Sequence, residues 1–239
     1  MQYTSIEILS ESLKEMIKNI EKNNINEKSN IKLRNETIKK AIKLSYIINE
    51  NKLENVKRSE EQAGIEAIYD YIEDNKKQDI ESIYVILKIH SLLYSKTPYR
   101  QFGGSFRNSN AYISDSEVKT SEPNNISKDI YELTRSFEKA LKLAKYINDK
   151  KTNSLIIEYL QLVLKIKCRL IEIHPFADGN GRTSRAFVNL MLKKINYLPV
   201  IIEAKEKNKY IHAMNEAIVN KNSDEINKIY IKKLTKRQK

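Results

Sequence analysis

One short segment of the chain concentrates residues that could do chemistry. The segment "HPFADGNGRTSR" (174–185) contains one of only three histidines, and two of the five glycines flank its Asn180. A Gly-Asn-Gly loop that runs into a helix N-terminus presents several backbone N–H groups to one point, and glycine lets a bulky anion come close. The spacing therefore predicts a phosphate-binding loop at Gly179–Gly181.

The charged residues around this loop suit a metal-bound polyphosphate. Arg182 and Arg185 are three residues apart at the start of a predicted helix, so both guanidinium groups can reach the same anion. Asp178 lies at the edge of the loop, where a carboxylate would hold a divalent cation that bridges phosphate oxygens. His174, at the other end, could take a proton from a hydroxyl near pH 7. We expect the apolar Phe176 to anchor the loop in the core.

Each of these features alone has an ordinary structural interpretation. Histidines after helices, Asp-Gly-Asn-Gly turns and pairs of surface arginines are all common. The ordered combination is not, because at average residue usage its chance frequency is about 10⁻¹⁰ per position. The segment is therefore interpreted as a functional site.

Composition narrows the class of protein. The net charge of +12 comes mostly from lysines interleaved with acidic residues, and only 232–239 forms a concentrated basic run. With no zinc-finger or aromatic RNA-binding motif, we do not expect specific nucleic-acid binding. No apolar run approaches the ~20 residues of a membrane helix, and no secretory signal is visible. The lone Cys168 excludes a disulfide framework, which favours a cytoplasmic protein.

Apolar residues recur at three- and four-residue steps along most of the chain, which predicts an all-α fold. The four prolines fall between the periodic segments, as expected for residues that interrupt helices. Helices are predicted near 6–20, 32–49, 58–74, 80–94, 126–147, 155–173, 182–196, 205–220 and 223–236.

The segment 99–114 is the exception to this helical pattern. It contains two adjacent glycines and few good helix formers, and hydrophobic residues flank its polar Asn-Ser-Asn run. This pattern predicts a short β-hairpin at about residues 101–114, with its turn near 107–110.

With these observations made, residues 174–185 resemble the Fic-domain signature, His-Pro-Phe-x-(Asp/Glu)-Gly-Asn-Gly-Arg-x-x-Arg, at every specified position. The predicted hairpin resembles the flap of that family, which docks a target peptide as an added strand. The resemblance covers roughly 80–220. It implies an N-terminal helical region at 1–79, a Fic core at 80–220, and a C-terminal helix with a basic tail at 221–239.

The resemblance implies an all-helical bundle, with the flap over the active-site loop, that transfers AMP from ATP to a protein hydroxyl with Mg²⁺. His174 would be the general base for a Ser, Thr or Tyr of a target protein or of the chain itself. Asp178 would hold Mg²⁺ against the phosphates. Gly179, Asn180 and Gly181 would form the anion hole, and Arg182 and Arg185 would bind the outer phosphates.

The resemblance also implies less specific sites. The target would dock along the flap at Asn110, Ala111, Tyr112 and Ile113. Tyr210 would complete the nucleotide-base pocket, although a core tyrosine would give the same pattern.

Two alternatives stay open. The first is a Fic variant that removes AMP or transfers phosphate, although the intact "DGNGR" argues against phosphotransfer. The second is a catalytically vestigial binding or regulatory module, which the intact His174, Asp178 and arginine pair make less favoured.

A final expectation concerns regulation. The segment "SYIINENKL" (45–53), at the end of the predicted helix 32–49, resembles the inhibitory (Ser/Thr)-x-x-x-Glu-(Gly/Asn) helix of the family. Counting four residues from Ser45 gives Asn49, and Glu50 comes one residue late, which rotates its side chain by about 100° on a helix. We therefore expect Asn49 to be the residue near Arg185 and inhibition to be weak.

Overall fold

The computed structural model describes residues 2–3, 27–74, 80–113, 116–150, 152–234 and 237–238. Within these ranges the chain forms an all-helical bundle, as predicted. The α-helices are α1 (Glu27–Leu53), α2 (Ser59–Asp74), α3 (Val85–Tyr94), α4 (Ile126–Glu132), α5 (Thr134–Asp149), α6 (Asn153–Ile173), α7 (Asn180–Lys194), α8 (Lys207–Val219) and α9 (Asp224–Lys233). Short 3₁₀ turns occur at Arg100–Phe102, Pro123–Asn125 and Ala204–Glu206, and the two-residue strands β1 (Gln2–Tyr3) and β2 (Arg237–Gln238) pair antiparallel.

The helix that opens directly after the Gly-Asn-Gly loop lies in the centre of the bundle. Nearly every residue of α7 is buried, and the helix packs against α2, α3 and α6. A helix with buried residues on all faces must be surrounded by other helices. The loop at its N-terminus is therefore attached to a buried central helix of the bundle.

Several helix boundaries differ from the prediction. Helix α1 begins at Glu27 and continues to Leu53, past the predicted end at residue 49. The last turn contains the good helix formers Glu50, Lys52 and Leu53, and Leu53 is buried against the bundle. The predicted helix 126–147 is divided at Leu133, whose N–H bonds to the Ile130 carbonyl three residues back. The predicted helix 6–20 lies outside the described residues.

The predicted β-hairpin is wrong for the described residues of 101–114, none of which is in a strand. A 3₁₀ turn ends at Phe102, and the chain then continues without regular structure to Ile113. The reason is that the segment bonds to the rest of the protein rather than to itself: the Arg107 N–H donates to the Pro175 carbonyl at 2.9 Å. Thr120 donates its hydroxyl to the Ala111 carbonyl at 2.6 Å, so residues 111 and 120 lie opposite each other. We call residues 101–113 the flap segment.

Among the helices that the structure describes, none is both long enough and apolar enough to cross a membrane.

Candidate active site

The backbone of the loop 174–179 turns sharply at both ends. His174 ends α6 in a left-handed conformation (φ 52°, ψ 58°), and its N–H donates to the Leu170 carbonyl at 3.0 Å. Gly179, also left-handed at φ 76°, precedes the first residue of α7. A left-handed residue after a helix is usually glycine, so a histidine there is a strained choice of the kind found at functional sites.

The loop is closed by a pair of hydrogen bonds from one side chain. Asn180 accepts from the Phe176 N–H at 3.0 Å and donates its amide to the Phe176 carbonyl at 2.8 Å. Phe176 is buried and stacks on the ring of His90 with a centroid distance of 3.8 Å. The Asn180 side chain therefore fixes the loop, and its backbone N–H is the part available to an anion.

Both loop glycines stand where a side chain would collide. A Cβ at Gly179 would lie 2.7 Å from Leu93 Cδ2, in addition to the strain of its positive φ. A Cβ at Gly181 would lie 2.7 Å from an oxygen of Glu54. A carboxylate thus already occupies the space beside the N-terminus of α7, where the loop was predicted to accept a phosphate.

Asp178 is placed as a metal ligand would need to be. Its side chain is 74% exposed, and its Oδ2 accepts from the Tyr94 hydroxyl at 2.7 Å and from Arg182 at 2.8 Å. Desolvation by the surrounding protein atoms would raise its pKa, but the Arg182 charge and the Tyr94 hydroxyl outweigh this effect, so the pKa of Asp178 lies below its usual value. The carboxylate is consequently ionised at neutral pH.

The site suits a cation that arrives with its substrate. Among the described residues no group of three or more His, Cys, Asp or Glu could hold a metal ion by itself. Mg²⁺ commonly binds through one or two carboxylates, with waters and substrate phosphates filling its other positions. A single exposed, ionised Asp178 beside the phosphate-binding loop fits that pattern.

The two arginines of the signature are both buried and both paired with carboxylates. Arg182 donates to Asp178 and, at 3.0 Å, to Glu61 from α2. Arg185 donates to Glu50 through two nitrogens, at 2.7 and 3.0 Å, and to Glu54 at 2.6 Å. Arg185 and Glu50 are only 6% and 4% exposed. Residues preceding the predicted core thus neutralise the arginine predicted to bind an outer phosphate.

The predicted register of the inhibitory helix is wrong. Asn49 does not contact Arg185: its amide donates to the Ser45 carbonyl at 2.9 Å, and its carbonyl accepts from the Ala204 N–H at 3.0 Å. Glu50 makes the contact instead, from an uninterrupted helix. The reason is that a count of four residues from Ser45 considers α1 alone. The packing of α1 against α7 decides which face of α1 contacts Arg185.

His174 lies half-buried at the entry of the loop. Burial lowers the pKa of its ring, the Arg107 charge adds to that effect, and the Ile171 backbone and Asp178 partly oppose it. At neutral pH the ring is therefore uncharged, which is the form that a general base requires. Because its Nδ1 is buried, Nε2 is the nitrogen that a substrate can reach.

Sequence reasoning missed several residues that build the site. His90 receives the Gly104 N–H on Nδ1 at 2.8 Å, and its Nε2 lies 3.0 Å from the Asp178 carbonyl. Arg107 donates Nε to the His174 carbonyl at 2.7 Å. His90 lies in the predicted helix 80–94 and Arg107 in the predicted turn 107–110, but no spacing rule gives their partners.

A cleft of about 770 Å³ opens beside the loop. Its lining includes Asp178, Tyr94 and Glu61 on one side and Phe106 and Ser109 of the flap segment on the other. The cleft is large enough to receive a side chain or a peptide segment next to Ala177 and Asp178 of the loop.

The positions of Tyr210 and of the flap residues Asn110 and Tyr112 do not by themselves indicate a role in the site. Tyr210 is buried, with the Lys167 ammonium 4.9 Å from its ring centroid, as a core tyrosine would be. In the flap segment, Tyr112 is 88% exposed and Asn110 is also exposed. Tyr210 lies close enough to Arg185 to contribute to the raised pKa of its guanidinium.

Comparison with known proteins places this geometry in a family. Residues 80–192 match the family model described as Fic/DOC family. The protein adenylyltransferase Fic of Drosophila grimshawi is 30% identical over 156 residues, which is 64% of this chain and 29% of that relative. The equivalent protein of Aedes aegypti is 30% identical over 149 residues, 62% of this chain and 27% of the relative. The matched segment thus spans under a third of these relatives.

Solved structures agree on the fold. A Fic-1 fragment from C. elegans matches 92% of this chain and 67% of its own length with a TM-score of 0.62 at 15% identity. BepC from Bartonella tribocorum, solved with bound AMPPNP, matches 73% of this chain and 86% of its own with a TM-score of 0.52 at 16% identity. The fold and the site define a helical domain in which a glycine-containing loop connects α6 to the buried helix α7. Residues 80–192 of this chain form a domain that matches the Fic/DOC family.

Proposed function

We propose that the chain transfers AMP from ATP to a hydroxyl group of a protein, including its own. The observation that carries the proposal is the loop 174–179, which places a neutral, half-buried His174 at one end and opens a buried helix bearing Arg182 and Arg185 at the other. The relatives named protein adenylyltransferase Fic, and the nucleotide in the Bartonella structure, support ATP as the substrate.

In this reaction His174 Nε2 accepts the proton of a Ser, Thr or Tyr hydroxyl that enters through the cleft. The oxygen forms a bond to the α-phosphorus, the bond to the β-phosphate oxygen breaks, and pyrophosphate leaves. The backbone N–H groups of Gly179, Asn180 and Gly181 stabilise the charge that develops on the phosphate oxygens. Mg²⁺, bound through Asp178, would neutralise the phosphates and orient them.

A target protein would supply its hydroxyl from a segment lying along Asn110, Ala111, Tyr112 and Ile113. These residues are irregular and lack a strand partner among the described residues. An extended target could pair with their backbone. Tyr210 would contribute to the base pocket only by packing behind the base, since it is buried.

The test is incubation of the purified protein with Mg²⁺ and ATP labelled at either the α- or the γ-phosphate. AMP transfer puts α-label on protein and none from the γ-position. Label from the γ-phosphate alone would indicate a kinase. Loss of label from a protein already carrying AMP would indicate the reverse reaction. Absence of all three would support a vestigial binding module.

The proposal includes a regulatory contact. Productive binding of ATP needs the charge of Arg185, and Glu50 and Glu54 both form ion pairs with that guanidinium. The ion pair with Glu50 is bidentate and buried, and removing one partner of such a pair has a large effect. Weak inhibition was expected because Glu50 was predicted to miss Arg185. Since Glu50 does contact Arg185, that reason no longer holds, and the strength of inhibition stays a prediction.

Glu50→Gln keeps the size of the side chain and removes the competing charge. We expect it to raise the rate of AMP transfer by about tenfold or more, since charged hydrogen bonds are roughly twice as strong as neutral ones. Glu36→Gln, on an exposed turn of the same helix, is the matched control and should change nothing. Equal rates for both variants would mean that Glu50 is only a packing contact.

A further inference from the structure

Arg107 of the flap segment makes an unusual set of contacts with the end of α6. It lies 67 residues before His174 and is only 6% exposed. Its Nε donates to the His174 carbonyl at 2.7 Å, and one terminal nitrogen reaches the Ile173 carbonyl at 3.4 Å. The other bonds of its guanidinium go to the carbonyls of Ser109 and Ser121.

These contacts answer a specific need of the helix. The last carbonyls of an α-helix have no partner within it, and a positive charge there is favoured by the helix dipole. Arg107 satisfies two such carbonyls with one planar group. Its own backbone N–H donates to the next carbonyl, that of Pro175, at 2.9 Å. Three successive peptide units, from Ile173 to Pro175, are therefore bonded to one residue.

The peptide units that Arg107 contacts include that of the strained residue. His174 has a left-handed backbone, which costs a non-glycine residue about 1–2 kcal/mol and persists only where the surroundings enforce it. The direction of the His174 ring follows from that backbone conformation. If its carbonyl were released, the residue could relax and its ring would change direction.

We propose that Arg107 is a positioning residue for His174, fixing the backbone on which the general base is carried without itself touching the substrate. This inference rests on the proposed function, in which His174 removes the proton. Arginine is required because a lysine ammonium keeps the charge but cannot present the planar fork that spans several carbonyls.

The test compares Arg107→Lys with Arg100→Lys, a matched change at an exposed arginine seven residues earlier in the same stretch. We expect Arg107→Lys to lower kcat about 100-fold, the size of effect that a displacement of about 1 Å can produce. The KM for ATP should stay within about twofold, because the phosphate contacts lie on α7. Arg100→Lys should leave both values unchanged.

A second measurement does not depend on AMP transfer. The chain has three histidines, so the His174 ring signals can be assigned in a magnetic resonance spectrum by comparison with single histidine variants. These signals should shift in Arg107→Lys and not in Arg100→Lys. If the wild type transferred no AMP, the proposed function would be wrong. The shift of the His174 signals would still show whether Arg107 positions His174.

The inference is overturned if Arg107→Lys is folded and keeps its kcat, or if the His174 signals do not move. An equal loss of kcat and rise of KM would also overturn it, because a general loosening of the fold acts on both. A variant that does not fold counts against it too, since the contact would then act on the fold rather than on the base.

Discussion

The loop 174–179 and the flap segment 101–113 face each other across the cleft, but they are held in different ways. The loop closes on itself through Asn180 and Phe176 and needs Gly179 for its turn. The flap segment has no ladder of its own within the described residues and is fixed by Arg107 and by His90, which bond to the loop. The hydrogen bonds that close the loop join residues four positions apart. The bonds that hold the flap segment include one to a residue 67 positions along the chain.

This difference explains what each region can contribute. A loop that is closed by its own side chain and held by bonds within the protein can keep its shape whether or not a target is present. A segment without its own ladder keeps backbone groups available for an incoming chain. Changes in the loop, and at Arg107 which bonds to it, should therefore affect the chemical step. Changes at the end of the flap segment, residues 110–113, should mainly affect the use of a protein target.

The largest effect is expected at the end of the loop. His174→Ala should lower AMP transfer by about 10²–10⁴-fold, the usual contribution of a general base, while ATP binding stays close to that of the wild type. Calorimetric titration with ATP, beside the labelling assay, separates the two. Transfer at the wild-type rate would remove His174 from the mechanism.

A smaller effect is expected in the flap segment. Ala111→Pro removes a backbone N–H and should cost most of the transfer to a protein target, about tenfold. Asn110→Ala, the control at the neighbouring exposed position, should stay within about twofold because its side chain is not needed for main-chain pairing. Full transfer by Ala111→Pro would mean that the target does not dock there.

The smallest effect concerns the residue that joins the two regions. Burial lowers the pKa of His90 to about 4, so the folded protein resists protonating a ring that the unfolded chain protonates below its usual pKa of 6.5. Stability should accordingly fall as the pH drops, by about 2 kcal/mol between about pH 7 and pH 5.

In His90→Gln, which keeps a side-chain donor and acceptor but does not titrate, this part of the pH dependence should be absent. Urea unfolding of both proteins at the two pH values measures the difference. An identical pH dependence would show that His90 does not carry it.

The sequence predicted the helical class and the loop because both depend on local signals. Helical periodicity is repeated along most of the chain, and the loop's glycines, asparagine and arginines act within a few residues of one another. The prediction of a hairpin was wrong because Arg107 bonds to a carbonyl 67 residues away, and no local sequence pattern contains that contact. The prediction that Asn49 rather than Glu50 lies near Arg185 was wrong for the same reason, since the contact depends on how α1 packs against α7.

The central claim is that this chain moves AMP, and the competing carboxylate of Glu50 could conceal it. The most direct measurement compares α-labelled ATP with Glu50→Gln and with the double variant Glu50→Gln, His174→Ala. We predict α-label on protein with the first and none with the second. Equal labelling of both, or label on neither while ATP still binds, would contradict the account.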